Sequence, residues 1–273
     1  MRSIILFVIY LLFPFGCFGQ TYEELIEKSF DYLDKNDLVS AEESLRAAMR
    51  LEPANAHNYA LLSNLGTIQR RQGKKEEALS SYSTALNRRP QDVTLLGNRA
   101  SLYAEMGETE KSIADYTILL LQVADDQNAL YNRGILYLQQ RDFIRAEADF
   151  NQILEVNDKT FYGRLGYAVL EKMRGNYEDS ERIYSFLIDE KPKDWQLYEG
   201  RAELYFLMGK NARAKADINK VISEDGPSAS LYVLRGKINL AQYEKEVARK
   251  DFLKAQEMGY DPEIIHDLLQ LVK

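Results

Sequence analysis

Apolar and small side chains recur along this chain at spacings of three and four residues, which place them on one face of an α-helix. Such helices come in pairs, because a small residue on one segment is followed twelve positions later by another on the next segment. The pair then repeats about every 34 residues, starting near Tyr22, Tyr59, Val93, Gln127, Phe161, Trp195 and Ala229. This period predicts stacked helix pairs whose neighbours cover each other's apolar faces.

Three columns of residues define the predicted core when each repeat is numbered from its start. Small residues at position 8 let the two helices of a repeat cross closely; they are Ser29, Gly66, Ala100, Gly134, Ala168, Ala202 and Gly236. Position 20 is also small, with Ala41, Ala78, Ser112, Ala146, Ser180, Ala214 and Ala248. Position 24 is large and apolar, with Leu45, Tyr82, Tyr116, Phe150, Tyr184, Ile218 and Phe252.

The turn between the two helices has its own signature at position 15. Four repeats have glycine there, as expected where a helix ends in a left-handed cap: Gly73, Gly107, Gly175 and Gly209. Asn36 suits the same conformation, whereas Arg141 and Tyr243 suit it less well. Prolines end the second helix of three repeats, namely Pro53, Pro90 and Pro192.

These small, aromatic and proline positions resemble the tetratricopeptide repeat over residues 22 to about 260. The resemblance implies an all-α fold, a right-handed superhelical solenoid of about seven helix-turn-helix repeats within residues 20–260. The first interval departs from the pattern because it is 37 residues long, and four repeats lack the proline. Residues 261–273 are expected to form a C-terminal capping helix that starts at Asp261 and Pro262. Its apolar residues would cover repeat 7: Ile264, Ile265, Leu268, Leu269 and Val272.

A pair of opposite charges recurs in four of the seven repeats. Arginine stands at position 7 and aspartate sixteen residues later, in the pairs Arg99 with Asp115, Arg133 with Asp149, Arg201 with Asp217 and Arg235 with Asp251. The other three repeats have neither member, so the two residues are gained and lost together, as residues in contact are. The pattern favours a structural ion pair between the two helices over a basic ladder for anionic ligands.

The resemblance also implies where a ligand would bind. In tetratricopeptide repeats, positions 2, 5, 9, 12 and 13 of the first helix line a concave groove that takes extended or helical peptides. In this chain the corresponding candidates are Arg70, Arg71, Tyr131, Ile135, Leu138, Tyr162, Leu165, Val169, Glu199, Glu203 and Phe206. An apolar centre with opposite charges on its two sides would bind and orient an amphipathic peptide. The alternative is that several of these residues pack against adjacent helices.

Composition excludes several other classes of function. The net charge of −7 and a pI of about 5.2, without a run of basic residues, argue against a nucleic-acid partner. His57 and His266 have no cysteine or second histidine at metal-ligand spacing. No phosphate-binding loop or nucleophile motif occurs. We therefore expect a non-enzymatic protein with no cofactor and no metal.

The first 19 residues differ from the rest of the chain. Arg2, the apolar run at 4–13 and the small residues that end at Gly19 predict a signal peptide cleaved before Gln20. Two alternatives are that Cys17 is lipidated, or that the apolar segment is retained as an anchor, although it is shorter than the roughly 18–20 residues of a spanning helix.

The combined expectation is an exported scaffold, in the bacterial periplasm or secreted, that binds a protein or peptide in its groove. The alternative is a membrane-tethered assembly factor for envelope or pilus components. Membrane contact is expected only if the N-terminal segment is retained or Cys17 is lipidated.

Overall fold

The computed structural model describes residues 20–156 and 160–273, and this part of the chain contains fifteen α-helices and no strand. The predicted signal peptide at 1–19, including Cys17, lies outside the described residues. The first helices of the seven pairs are α1 (Tyr22–Asp34), α3 (Asn58–Arg71), α5 (Val93–Glu105), α7 (Gln127–Gln139), α9 (Phe161–Arg174), α11 (Trp195–Leu207) and α13 (Ala229–Ala241). Each begins within one residue of its predicted start.

The second helices complete the pairs, and a short helix follows them. They are α2 (Leu38–Leu51), α4 (Lys75–Arg88), α6 (Thr109–Gln122), α8 (Phe143–Val156), α10 (Tyr177–Glu190), α12 (Asn211–Glu224) and α14 (Lys245–Glu257), with α15 (Pro262–Gln270) at the end. Among the described helices, none is both long enough and apolar enough to span a bilayer.

The described residues form two compact units, one that ends at Leu102 and one that covers Tyr103–Lys273. In the first unit, α2 packs against α1 and α3 around a buried cluster that includes Leu45, Leu65 and Ile68. In the second unit, a larger cluster extends from α9 to α13. Successive helix pairs in each unit therefore bury each other's apolar faces, as the period predicts.

The predicted core columns are buried in every repeat, with exposures of 0–4% at position 24. Phe150 shows why small residues stand beside them. A Cβ atom on Gly134 would lie 2.5 Å from Cε1 of Phe150, and one on Gly166 would lie 2.4 Å from its Cδ1. The ring of Phe150 thus fills the space between α7 and α9 that the two glycines leave open.

The turn at position 15 adopts the left-handed conformation even where the residue is not glycine. The backbone φ angle is 57° at Asn36, 60° at Arg141 and 64° at Tyr243, close to the 85° of Gly175. Residues with a Cβ atom are sterically disfavoured in the left-handed conformation, and asparagine is the least disfavoured of the three. The repeated fold therefore imposes strain at Arg141 and Tyr243.

Replacing Arg141 with glycine is expected to raise the free energy of unfolding by about 0.5–1 kcal/mol. Relief of the left-handed strain, about 1–2 kcal/mol, exceeds the entropy that glycine adds to the unfolded chain. The exposed side chain of Arg141 is no obstacle to the change. Urea unfolding measures the effect, and Gly175→Ala at the equivalent turn is the matched control, with a loss of similar size expected. A variant without any gain would show that this turn is unstrained.

The last helix, α15, covers the apolar end of repeat 7. The side chain of Asp261 accepts hydrogen bonds from the backbone amides of Glu263 and Ile264, which caps the helix. Ile265, Leu268 and Val272 are buried in a cluster with Phe252. Ile264 is 43% exposed, so its predicted packing against repeat 7 is wrong. It follows Asp261 by three residues and lies on the solvent side of the first turn.

Candidate functional site

The structure brings three of the four predicted Arg–Asp pairs together as bidentate ion pairs. Nε and Nη2 of Arg133 donate to Asp149 at 3.0 and 2.6 Å. The same two donors of Arg201 reach Asp217 at 2.8 and 2.9 Å, and Arg235 pairs with Asp251 in the same way. Arg99 and Asp115 lie in different units, so their pairing stays a prediction.

The same arginines bind the preceding repeat as well, which the sequence reasoning missed. Nη1 donates to a polar side chain sixteen residues earlier, in the pairs Arg99 to Ser83, Arg133 to Thr117, Arg201 to Ser185 and Arg235 to Asn219, at 3.1–3.3 Å. The signal was a polar column at position 25: Ser83, Thr117, Asn151, Ser185 and Asn219. Each guanidinium of this kind in the second unit therefore joins three helices.

Burial affects the charge state of this pair. The side chain of Asp149 is only 5% exposed, and that of Arg133 is 16% exposed. Burial raises the pKa of Asp149, and the hydrogen bonds from Arg133 lower it by a smaller amount. The hydrogen bonds from Arg133 therefore stabilise the ionised carboxylate of Asp149, and the pair has a structural role.

A pocket of about 190 Å³ lies between α7, α9, α10 and α11 of the second unit. We call it the groove pocket. Its lining residues are Tyr131, Phe161, Leu165, Val169, Lys172, Tyr184, Asp194, Gln196, Leu197, Gly200 and Glu203. Four of the predicted groove residues are therefore brought to one place: Tyr131, Leu165, Val169 and Glu203.

Tyr131 and Tyr184 contribute phenol hydroxyl groups to the apolar part of the groove pocket. The ring of Tyr131 lies 5.3 Å from that of Tyr162 and 6.2 Å from that of Phe150. Burial, with a smaller contribution from Tyr162, raises the pKa of Tyr131 to about 12. Burial also raises the pKa of Tyr184. Both phenols are neutral at physiological pH, as unshifted tyrosines also are, and can donate a hydrogen bond to a ligand.

An ion pair stands at the rim of the groove pocket. Nζ of Lys172 lies 2.8 Å from Glu203, and the lysine side chain is only 13% exposed. Sequence reasoning missed Lys172, although it occupies position 12, the same column as Arg70. Arg70 donates across to the next repeat in the same way, to Ser101 at 2.9 Å. A basic residue at position 12 with a polar residue 31 positions later was the available signal.

The remaining predicted groove residues have different surroundings. Leu138 is 1% exposed, so its prediction as a groove residue is wrong; its side chain turns into the core instead. Ile135 is half-buried and Tyr162 is 37% exposed. Phe206 is partly buried against the core cluster of the second unit. The predicted basic side comes from two residues of the first unit, Arg70 and Arg71, and its position beside the groove pocket stays a prediction.

The histidines and acidic residues in the described part of the chain form no group of three that could hold a metal ion. His57 and His266 are both exposed, in agreement with their interpretation as surface residues. The imidazole of His266 lies within hydrogen-bond distance of Gln270, one turn along α15.

Replacing Glu199 with glutamine is expected to stabilise the protein at neutral pH by a few tenths of a kcal/mol, since solvent still screens the carboxylate. Burial, then Glu203 and Asp225, raise the pKa of Glu199 above its unfolded value. The folded state therefore disfavours the ionised carboxylate of Glu199. Glu199 does not destabilise the folded state below its unfolded pKa of about 4.3, and it destabilises the folded state fully above its folded pKa. Urea unfolding at about pH 3.5 and pH 7 should show a gain at pH 7 only. The same gain at both pH values would contradict this origin.

The repeats match a known family of proteins. A family model described as tetratricopeptide repeat matches residues 31–93, 98–160 and 131–194, together more than half of the chain. The solved structure of a tetratricopeptide repeat protein from Parabacteroides merdae is 64% identical with a TM-score of 0.86, covering 93% of this chain and 99% of that chain. With the fifteen described helices, this match shows an all-α repeat solenoid.

More distant matches share the repeat or the fold alone. Tetratricopeptide repeat protein 6 of Homo sapiens is 29% identical over 107 residues, which is 39% of this chain and 20% of that protein. RNA polymerase II-associated protein 3 of Rattus norvegicus is 32% identical over 88 residues, 32% of this chain and 13% of that protein. The chain thus matches a fifth or less of these curated relatives. The structure of PilW, a type IV pilus biogenesis factor, has a TM-score of 0.62 at 18% identity, covering 78% of this chain and 97% of that chain.

Proposed function

Because the chain belongs to the tetratricopeptide-repeat family, we propose that it is a non-enzymatic scaffold that holds a segment of a partner protein in the groove pocket. The repeat fold supports protein–protein interaction as the general role. The specific proposal rests on one observation, the gathering of Tyr131, Leu165, Val169 and Glu203 around a single opening.

The chemistry of the groove pocket favours an amphipathic segment. Leu165 and Val169 offer an apolar wall for one large side chain. The neutral phenols of Tyr131 and Tyr184 can donate hydrogen bonds to backbone carbonyl groups of the partner. The Lys172–Glu203 pair at the rim can bind polar side chains of either charge. An aliphatic or aromatic residue flanked by polar ones is therefore the expected ligand.

The place of action is also a proposal. The N-terminal pattern at 1–19 supports export with cleavage before Gln20, and a membrane-tethered assembly factor is the alternative. The likeness to PilW concerns the fold alone and does not favour either. Intact-mass spectrometry of the protein from its native cells separates them. The mass of a chain that begins at Gln20 and carries no lipid supports export of a free protein. A mass that includes a lipid on Cys17 or the retained N-terminal segment supports the tethered form.

Substitution of Ile135 and Leu165 by glutamate is expected to lower recovery of the partner by at least about tenfold. Leu165 lines the groove pocket, where a carboxylate opposes burial of an apolar side chain, and Ile135 is a further predicted groove residue. The measurement is a quantitative pull-down from the native envelope with the wild-type protein, the double variant and Ile144→Glu. Ile144 is 81% exposed on α8, outside the groove pocket, so that variant is the matched control. Equal partner recovery by all three folded proteins would refute the groove assignment.

A further inference from the structure

Repeat 5 lacks the Arg–Asp pair and has a pocket where the pair would stand. Tyr167 and Ile183 occupy positions 7 and 23 of this repeat. Both line a pocket of about 430 Å³ between α8, α9 and α10. We call it the outer pocket; its lining residues are Leu154, Arg164, Tyr167, Arg182, Ile183 and Phe186.

The outer pocket is a different surface from the groove pocket. Residues of an α-helix are about 100° apart around its axis, so Arg164 and Tyr167 lie about 150° from Leu165 and Val169 on α9. The first two line the outer pocket and the last two line the groove pocket. A ligand on one side therefore leaves the other side of α9 accessible.

The loss of the pair explains why this space is open and apolar. In repeat 6 the guanidinium of Arg201 fills the equivalent place and bonds to Asp217 on one second helix and Ser185 on the other. In repeat 5, one connection remains among the bonds described at these positions, from the hydroxyl of Tyr167 to Asn151 at 2.6 Å. Ile183 stands where the carboxylate would be, so the wall toward α10 is hydrocarbon.

The charged side chains that line the outer pocket are arginines, and each has an acidic neighbour. Among the described residues, the ionisable ones that line the pocket besides Tyr167 are Arg164 and Arg182, in a chain with a net charge of −7. The guanidinium of Arg164 lies over the ring of Phe186 at 4.5 Å from its centroid, and its Nη1 is 3.7 Å from Glu190. Arg182 is 78% exposed and pairs with Asp179 at the surface. An exposed pair such as Arg182–Asp179 contributes little to stability, so Arg182 can exchange Asp179 for a ligand's carboxylate.

From these observations we propose that the outer pocket is a second docking site, which binds a partner segment carrying one large apolar side chain next to a carboxylate. The apolar side chain packs against Leu154, Ile183 and Phe186, and the carboxylate pairs with Arg182. This proposal does not depend on the groove pocket, because neither lining set contains a residue of the other.

Two variants test the outer pocket. Tyr167→Arg with Ile183→Asp gives repeat 5 the pair of its neighbours, and Asn151 stands where Asn219 accepts from Arg235. The double variant is therefore expected to fold and to fill the pocket with its own ion pair. Arg182→Glu reverses one rim charge at a side chain that is 78% exposed, so it leaves the fold intact. Far-ultraviolet circular dichroism and urea unfolding check both variants.

The probe is a phage-displayed library of random dodecapeptides, selected on the wild-type protein and counter-selected on the double variant. The proposal expects enriched peptides with a large apolar residue beside aspartate or glutamate. Isothermal titration should then show binding at least about tenfold weaker to Arg182→Glu and unchanged binding to Leu165→Glu. Failure to enrich such peptides, or binding that depends on Leu165, would overturn it. Self-association of the wild-type protein that the double variant abolishes would also overturn it, with a second copy as the occupant.

Discussion

An alanine in place of Phe150 is expected to lower the free energy of unfolding by about 3–5 kcal/mol, the range for a large aromatic residue removed from a core. The side chain is fully buried. Its ring fits against the Cα atoms of Gly134 and Gly166 and lies 6.2 Å from the ring of Tyr131. Because both glycines lack side chains, neither of them can fill the cavity that the missing ring leaves.

Urea unfolding followed by circular dichroism measures this loss, and Phe30→Ala is the matched control. Phe30 is 48% exposed, so its removal should cost less than about 1 kcal/mol. A second readout is peptide binding, because Tyr131 of the groove pocket rests on Phe150. If the two phenylalanine variants were equally stable, the close fit at Gly134 and Gly166 would not be the source of packing energy in this repeat.

Breaking the Arg133–Asp149 pair from either side is expected to cost about 3 kcal/mol, the lower end of the range for buried pairs. The lower end applies because Arg133 keeps 16% of its side chain exposed. Arg133→Ala leaves a buried carboxylate whose pKa is already raised by burial. Asp149→Ala leaves a guanidinium bonded only to Thr117 among its described hydrogen-bond partners. The double variant removes both charges and should cost at least about 1 kcal/mol less than the sum of the single losses.

The control for this cycle is the exposed pair Lys254 and Glu257. Their side chains are 50% and 66% exposed, so solvent screens the pair and the same cycle there should give a much smaller coupling energy than the Arg133–Asp149 cycle. Urea unfolding of all single and double variants gives both coupling energies under one set of conditions. Strictly additive losses at Arg133 and Asp149 would refute an energetic contact between them.

The repeat boundaries could be predicted because they depend on spacing within one chain. Starts such as Val93, Gln127 and Phe161 follow from small residues that recur at one period, and α5, α7 and α9 begin at these residues. The turn at Arg141 could be predicted too, since the period placed it in the glycine column. In both cases the evidence was the same sequence pattern, which occurs in all seven repeats.

The surfaces were harder to predict, because exposure depends on neighbours that differ between repeats. Leu138 and Lys172 occupy the same position 12, yet the leucine is buried in the core and the lysine pairs with Glu203 at the rim of the groove pocket. The family pattern assigned both positions to one surface. The outer pocket could not be foreseen either, since it arises from the side-chain volumes of Tyr167 and Ile183 between three helices.

The position-7 arginine reaches forward and backward over the same sequence distance. Asp149 lies sixteen residues after Arg133, and Thr117 lies sixteen residues before it. A duplicated repeat that carries the arginine, the aspartate and the polar residue at position 25 therefore brings both halves of each junction with it. An array built this way can grow or shrink by whole repeats without new interface residues. Repeat 5 has given up the arginine and the aspartate, so a copy of it would bring another apolar opening rather than another ion-paired junction.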